Sequence, residues 1–205
     1  MRLKSKPEHP VSDVPRPITA HESFRAGWSA TDNPLAPNHL RNGGLGMTDS
    51  DPVSDALNTL VYGLSVVGSK SEGGEPNGMT ANWMTQVSFD PRIVAIAVQE
   101  GAHTRQNIES TRVFSISVLP DGSKDLSLKF TAKSTSGEGR LEGEPISTFD
   151  TGTPVLDAAV AWFECRVIGS HLTGDHVVFF GEVISGARRD GDPQSLTATG
   201  MSYGG

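Results

Sequence analysis

The sequence predicts a mainly β chain, a small antiparallel barrel with a few short helices. Three observations carry this. There are 23 glycines and 13 prolines in 205 residues, which marks many turns. Short apolar runs recur at short, regular spacing between those turns. The run Ile93-Val94-Ala95-Ile96-Ala97-Val98 is continuous, so it reads as a strand buried on both faces.

Residues 1–50 differ in composition from the rest. Pro7, Pro10, Pro15, Pro17, Pro34 and Pro37 interrupt any regular element, and the apolar residues are isolated. This segment reads either as a disordered or loosely attached arm, or as an arm that wraps a partner subunit with Phe24, Trp28 and Leu35 as anchors. Met47, just before the next helix, reads as either an alternative translation start or an internal residue of the arm. Residues 51–205 form the second unit. Asp51 and Pro52 suit the cap and first position of a helix. Leu57, Leu60, Val61 and Leu64 then recur at helical spacing and predict one apolar face. Leu64–Ser69 is the first barrel strand, and Ser71–Pro76 the hairpin loop after it.

Asn77–Pro91 is the stretch around which the chain is organised. Asn77-Gly78 is a tight-turn signal, because both residues accept positive φ. Asp90-Pro91 closes the stretch, and between them small and hydroxyl residues let another group approach the backbone. Thr104 predicts an N-cap for a helix from about Arg105 to Ser110. Asp121 to about Ala132 predicts a second helix, with Leu126 and Phe130 four apart, and Ser134–Glu144 a loop. Ala159–Ile168 and His176–Ile184 read as a return hairpin turning at Ser170–Gly174. Val177–Ile184, like Ile93–Val98, reads as fully buried.

Composition excludes several functions. A net charge of −7 and a pI near 5.3 argue against non-specific nucleic-acid binding. No apolar run approaches the roughly 20 residues of a membrane helix. The N-terminus has charges without an apolar core, so it predicts no signal peptide. Cys165 is the only cysteine, which forbids an intrachain disulfide and suits a reducing cytoplasm. The six histidines are scattered and predict no metal site. Walker, Gly-x-Ser-x-Gly and dinucleotide-fingerprint motifs are absent. At 36% hydrophobic, the chain is lean for one isolated core, which points to a second subunit or to an unpacked part.

Four segments together resemble the FMN-binding split-barrel flavin reductase family. Asn77–Pro91 follows its N-G-x-T-A-x-x-x-T/S-x-V-S-x-D-P pattern. An apolar strand comes next, and Ala102–Ile108 resembles its small-x-T-x-x-x-I turn into a helix. Val113–Leu119 follows F-x-(I/V)-(S/N)-V-L, and Gly174–Val183 follows G-D-H-x-x-F-x-G-E-V. Gly152–Leu156 is similar to the family's T-G-x-P-V-L segment. The resemblance covers roughly residues 52–205. It implies a Greek-key split barrel, a twofold homodimer with cofactor sites at its interface, and an NAD(P)H-dependent flavin reductase.

The bound flavin implied is FMN, with FAD as the alternative, and NADH or NADPH as co-substrate. Reduced flavin or its electrons would pass to a partner such as a monooxygenase. The positions implied to line the ring and ribityl chain are Asn77, Thr80, Ala81, Asn82, Trp83, Thr85, Gln86, Val87 and Ser88. Ala102, His103, Thr104 and Asn107 lie where a helix start would meet the phosphate. Phe179 belongs to the later signature. Trp83 departs from the family's small residue and reads either as a ring contact or as core. His103 is either a phosphate contact or an exposed loop residue. His176, the candidate catalytic residue, lies either on the nicotinamide path or simply at a strand start. Tyr203 either covers the cofactor, packs on a partner, or belongs to a surface tail. Two other functions stay open: an FMN carrier that reacts poorly with pyridine nucleotides, and an interaction protein whose barrel has lost its cofactor.

Overall fold

The computed structural model describes residues 51–132, 134–137 and 139–201. The N-terminal arm, Met47 and Tyr203 lie outside these. Helix α1 spans Pro52–Leu57, and the Asp51 side chain accepts the Val53 N–H at 3.1 Å, as a cap should. The expected apolar helix face does not form. The helix stops at Leu57, and Leu57, Leu60 and Val61 are exposed, with only Leu64 buried.

Seven strands make one antiparallel sheet: β1 (Ser65–Lys70), β2 (Pro76–Ala81), β3 (Met84–Phe89), β4 (Arg92–Gln99), β5 (Val113–Val118), and further along β10 (Ala161–Leu172) and β11 (His176–Arg188). Their order across the sheet is β2-β1-β5-β10-β11-β4-β3. The two outer strands are neighbours in sequence. Only Asn82 and Trp83 separate β2 from β3, a gap of three Cα steps, or about 11 Å at most. The sheet must therefore curl until its edges meet at that end. No ladder joins β2 to β3 in the order observed, so the barrel is split there.

Asn77-Gly78 does not form the turn. Both residues lie inside β2, and the hairpin reverses earlier, at 71–75, where Gly74 has φ +87°. Gly78 is required for space instead. A Cβ there would come within 2.9 Å of both Leu141 Cδ2 and Phe130 Cδ1. The return hairpin also turns later and more tightly than expected, at 173–175, because Leu172 still pairs with Val177.

Helix α2 (His103–Thr111) packs on β1, and α3 (Lys124–Leu128) is shorter than the predicted 121–132 helix. The expected 134–144 loop instead holds β6 (Ser136–Gly137), β7 (Arg140–Leu141) and the start of β8 (Glu144–Thr148). With β9 (Pro154–Leu156) these form a second, four-stranded sheet. Polar, glycine-rich sequence can pair by backbone alone, which composition does not report.

Two apolar clusters meet across β1. Val67 joins Ile96, Val98, Ile108, Phe114, Ile116 and Phe179 inside the barrel. Val66 joins Leu64, Leu119, Phe130, Leu141, Leu156 and Leu196 between the barrel and the small sheet. Hence β1 is buried on both faces. Strand β4, expected to be buried on both, is not. Val94, Ile96 and Val98 point inward, whereas Ile93, Ala95 and Ala97 are half-buried. Strand β11 alternates likewise, with Val178 and Phe180 half-buried. Among the described residues, neither helix nor sheet covers this outer face fully.

Glu164 is fully buried. It accepts from Thr151 N–H at 3.1 Å, Thr151 Oγ1 at 2.5 Å and Ser185 Oγ at 2.9 Å, tying the 149–153 turn to β10 and β11. Its neighbour Cys165 is equally buried. Burial first, and then the charge of Glu164, pushes that thiol up to about 12, which makes it inert near neutral pH. No helix among the described residues is long and apolar enough to cross a membrane.

Candidate active site

A cavity of about 420 Å³ opens where the barrel is split. Its size is that of a small-molecule site. β2 supplies Asn77, Gly78, Met79, Thr80 and Ala81, and the β2–β3 link supplies Asn82 and Trp83. β4 supplies Ala97 and Gln99, the entry to α2 supplies Ala102, His103 and Thr104, and β11 supplies His176. Ser127 and Phe130, with Leu196 and Met201 from the C-terminal segment, close the remaining side.

The start of α2 is built differently from the expected cap. The helix begins at His103, its cap position is Ala102, and no side chain caps it. Thr104 sits within the first turn, buried, and its Oγ1 accepts the Asn77 amide at 2.9 Å. That amide also donates to Ser69 Oγ at 3.3 Å, which accepts from Asn107 Nδ2 at 3.2 Å. The network pins the helix start to β1 and β2. The start of a helix leaves backbone N–H groups without full intrahelical bonding; in α2 the Arg105 N–H turns back to the Ala102 carbonyl at 3.1 Å, and Ala102, His103 and Thr104 line one part of the cavity.

Thr80 lines the cavity, but its hydroxyl donates to the Ser127 carbonyl at 2.5 Å, so it fastens α3 to β2. Asn82 is only 7% exposed, and its Nδ2 has no hydrogen-bond partner among the described residues. An unpaired buried amide is costly, of the order of 1–3 kcal/mol, so it fits a ligand that supplies an acceptor.

His176 is buried, with its ring centroid 4.8 Å from that of Trp83 at an interplanar angle of 47°. Trp83 is therefore a cavity residue and not core. The hydrogen bond between His176 Nδ1 and Asp175 Oδ1, at 2.8 Å, holds the exposed Asp175 carboxyl below its ordinary range. An ionised carboxylate only accepts, so Nδ1 carries the hydrogen of this bond.

Other predicted site residues lie elsewhere. Thr85, Gln86, Val87 and Ser88 are on β3, the exposed sheet edge, and Gln86 borders a second, shallower groove with Arg92, Trp162 and Phe163. Asn107 lies behind the cavity wall, and Phe179 is in the barrel core. The sequence reading passed over Met79, Gln99, Ser127, Phe130, Leu196 and Met201.

A family model described as flavin reductase like domain matches residues 57–204. The chain belongs to the flavin reductase-like family. FMN reductase (NADH) SmoA of Agrobacterium fabrum is 33% identical over 159 residues, covering 78% of this chain and 87% of that reductase. The reductase component of flavin-dependent trigonelline monooxygenase of Acinetobacter baylyi is 28% identical over 129 residues. The match covers 63% of this chain and 41% of that component. Among solved structures, NADH:FAD oxidoreductase SgcE6 of Streptomyces globisporus C-1027 has a TM-score of 0.64 at 28% identity. It matches 75% of this chain and 94% of its own. This flavin reductase-like chain is thus mainly β and split-barrelled, as its family resemblance implied.

Proposed function

We propose that the chain is an NADH-dependent flavin reductase that holds FMN in the split-barrel cavity and supplies reduced flavin to a monooxygenase. The observation that carries the reading is the polar layout of that cavity. The start of α2 lies at one end, the unpartnered Asn82 amide is on the wall, and apolar Met79, Ala81 and Trp83 lie between. FMN fits this donor set. The α2 N-terminus with His103 and Thr104 would hold the phosphate, and Asn82 the polar edge of the ring. When bound, the flavin itself supplies the hydride-accepting chemistry. The chain's residues bind, orient and exclude water, and His176 with Trp83 forms the wall beside which the nicotinamide would lie. NADH is favoured as the co-substrate because several relatives carry it in their names, among them FMN reductase (NADH) SmoA. A single helix start favours FMN over FAD, whose adenylate would extend beyond the cavity. A buried, inert lone cysteine is consistent with the cytoplasm.

Titration with FMN tests the reading. Protein freed of excess FMN by gel filtration should retain an absorption band near ~450 nm, and FMN should raise the thermal midpoint, since a ligand held only by the folded state stabilises it by about 2.7 kcal/mol at 100 times Kd. Anaerobic NADH should then bleach the band. FMN that changes neither spectrum nor midpoint would refute the site, and bound FMN that NADH leaves oxidised would mark an electron carrier instead.

The active form is proposed to be a homodimer with both chains at the flavin. Support comes from large apolar side chains left in solvent: Phe89 is 88% exposed on the edge strand β3, and Val61, just before β1, is 81% exposed. The Trp162–Phe149 pair, stacked at 4.0 Å, adds to this surface. Sedimentation at micromolar concentration should return twice the 21.7 kDa chain mass. A flavin-loaded monomer would remove the interface site.

A further inference from the structure

We propose that Gln99 is the residue that recognises the carboxamide of the pyridine nucleotide, and so sets the rotation of the nicotinamide ring over the flavin. The inference rests on the reading of the cavity as a flavin and NADH site. Gln99 is the last residue of β4, and its Cα partner across the ladder is His176 at the first position of β11. Directly opposed residues carry their side chains on one face, about 4.5–5.5 Å apart. Ala97, two residues back, shares that face, and all three line the cavity. Trp83 packs on His176 from the same side, and its carbonyl accepts the Ala97 N–H at 3.0 Å. These four residues form one short wall at the cavity mouth.

Within this wall and the rest of the cavity, most polar side chains are already engaged. The Thr80 hydroxyl donates to Ser127 O, Thr104 Oγ1 accepts from Asn77, and His176 Nδ1 is held by Asp175. Two amides are not. Asn82 is deeply buried and suits the flavin, which must enter first. Gln99 is exposed at the mouth, where a second ligand arrives, and its side-chain amide bonds to no described residue. Its backbone is nevertheless fixed, because the Gln99 carbonyl accepts the Ala102 N–H at 3.0 Å, and the next residue donates from Glu100 N to Asp175 O at 2.9 Å. The side chain therefore projects from an anchored strand end.

A primary amide offers one acceptor and two donors. The carboxamide of nicotinamide offers the same set, so the two can pair side by side, donor to acceptor in both directions. Hydride transfer needs the donor carbon about 3–3.5 Å from its acceptor with aligned orbitals. The carboxamide is the polar handle on an otherwise featureless ring, so holding it selects one rotation. Gln99 breaks no bond in this role. It binds and orients.

The test compares NAD⁺ with acetylpyridine adenine dinucleotide, in which a methyl group replaces the carboxamide NH₂. Both are titrated by calorimetry into the flavin-loaded, full-length protein. Wild type should prefer NAD⁺ by about tenfold, the value of one neutral hydrogen bond. In Gln99→Leu the preference should fall to near one. Gln99→Glu keeps an oxygen to accept from the NH₂ and should keep the preference. Flavin affinity and thermal midpoint should be unchanged in both variants, and the KM for NADH of Gln99→Leu should rise about tenfold. A wild type without preference, a Gln99→Leu that retains it, or a Gln99→Leu that loses flavin overturns the assignment. A flavin-loaded wild type that binds neither dinucleotide and is not bleached by NADH refutes the reductase reading, and the assignment with it.

Discussion

Gly68→Ala is expected to cost more than about 4 kcal/mol, a large share of the roughly 5–15 kcal/mol that holds an ordinary domain folded. Gly68 lies in the middle of β1, paired with Gly78 on one side and Ser115 on the other. A Cβ there would sit 2.1 Å from the Pro154 carbonyl oxygen and 2.2 Å from Ser115 Oγ. Those two atoms form a buried hydrogen bond of 2.6 Å that fastens β9 over β5. One of the two clashing atoms is backbone, so no rotamer change relieves it. The methyl must either push the small sheet off the barrel or break the bond, and a buried carbonyl then loses its partner. Gly63→Ala serves as the control, because nothing lies within 4 Å of its Cβ position. It should stay within about 0.5 kcal/mol of wild type. Urea unfolding of both variants decides the matter, and a Gly68→Ala midpoint close to wild type would show that the two sheets are not held in this way.

Gly68 illustrates what was hidden in the sequence. The β-branched pair Val66-Val67, followed by loop signals, reads as a short strand, but nothing local says that a second sheet will press a carbonyl against its middle. Asn77-Gly78 misled for the same reason. The pair carries a turn signature, yet here the glycine is needed for closeness to Phe130 and Leu141, both more than 50 residues away. Local chemistry reports backbone freedom and cannot say whether φ or space uses it. The barrel strands, the Asp51 cap and the β10–β11 hairpin were legible because period, cap and turn are local facts. The continuous run Ile93–Val98 was over-read. Apolar residues on both faces of β4 do not ensure burial on both, and its outer face stays half-buried in the single chain. The same reading missed the second sheet, whose polar β6 and β7 pair through backbone.

For the site, the resemblance located one contiguous segment, whereas the fold divides that segment between two sheet edges. Asn77–Trp83 line the cavity and Thr85–Ser88 do not. The dividing point is the Asn82-Trp83 link, where β2 gives way to β3. Thr104 was found by its motif but given the wrong task. It does not cap α2; it accepts from Asn77 and so keeps the helix start against the cavity. Gln99 was passed over because a glutamine after an apolar strand looks like an ordinary solvated strand end. Only the register with His176 brings it to the mouth.

Ala97→Phe is expected to weaken flavin binding by at least about 100-fold while leaving the fold intact. Ala97 belongs to neither core cluster and is half-buried. Its N–H is bonded to Trp83 O, and it pairs with Val178 across the ladder, so the backbone is held on both sides. Alternation along β4 sends Val94, Ile96 and Val98 inward and leaves Ala97 on the cavity face. A phenyl group added there stands on the face that carries Trp83 and His176, and it narrows the cavity beside them. An apolar side chain filling existing space adds contacts without displacing the core, so the thermal midpoint should hold or rise slightly. The ligand loses that space outright, and a steric block of this kind is worth several kcal/mol of affinity, well above the roughly 2.7 kcal/mol of a 100-fold loss. Two measurements are needed together: the flavin dissociation constant by fluorescence titration, and the melting temperature of the flavin-free protein. A variant that melts normally and has lost its flavin and its NADH oxidation fixes the site in the split of the barrel. A variant that melts normally and binds flavin within about threefold of wild type would place the flavin elsewhere, and the role assigned to Asn82 would fall with it.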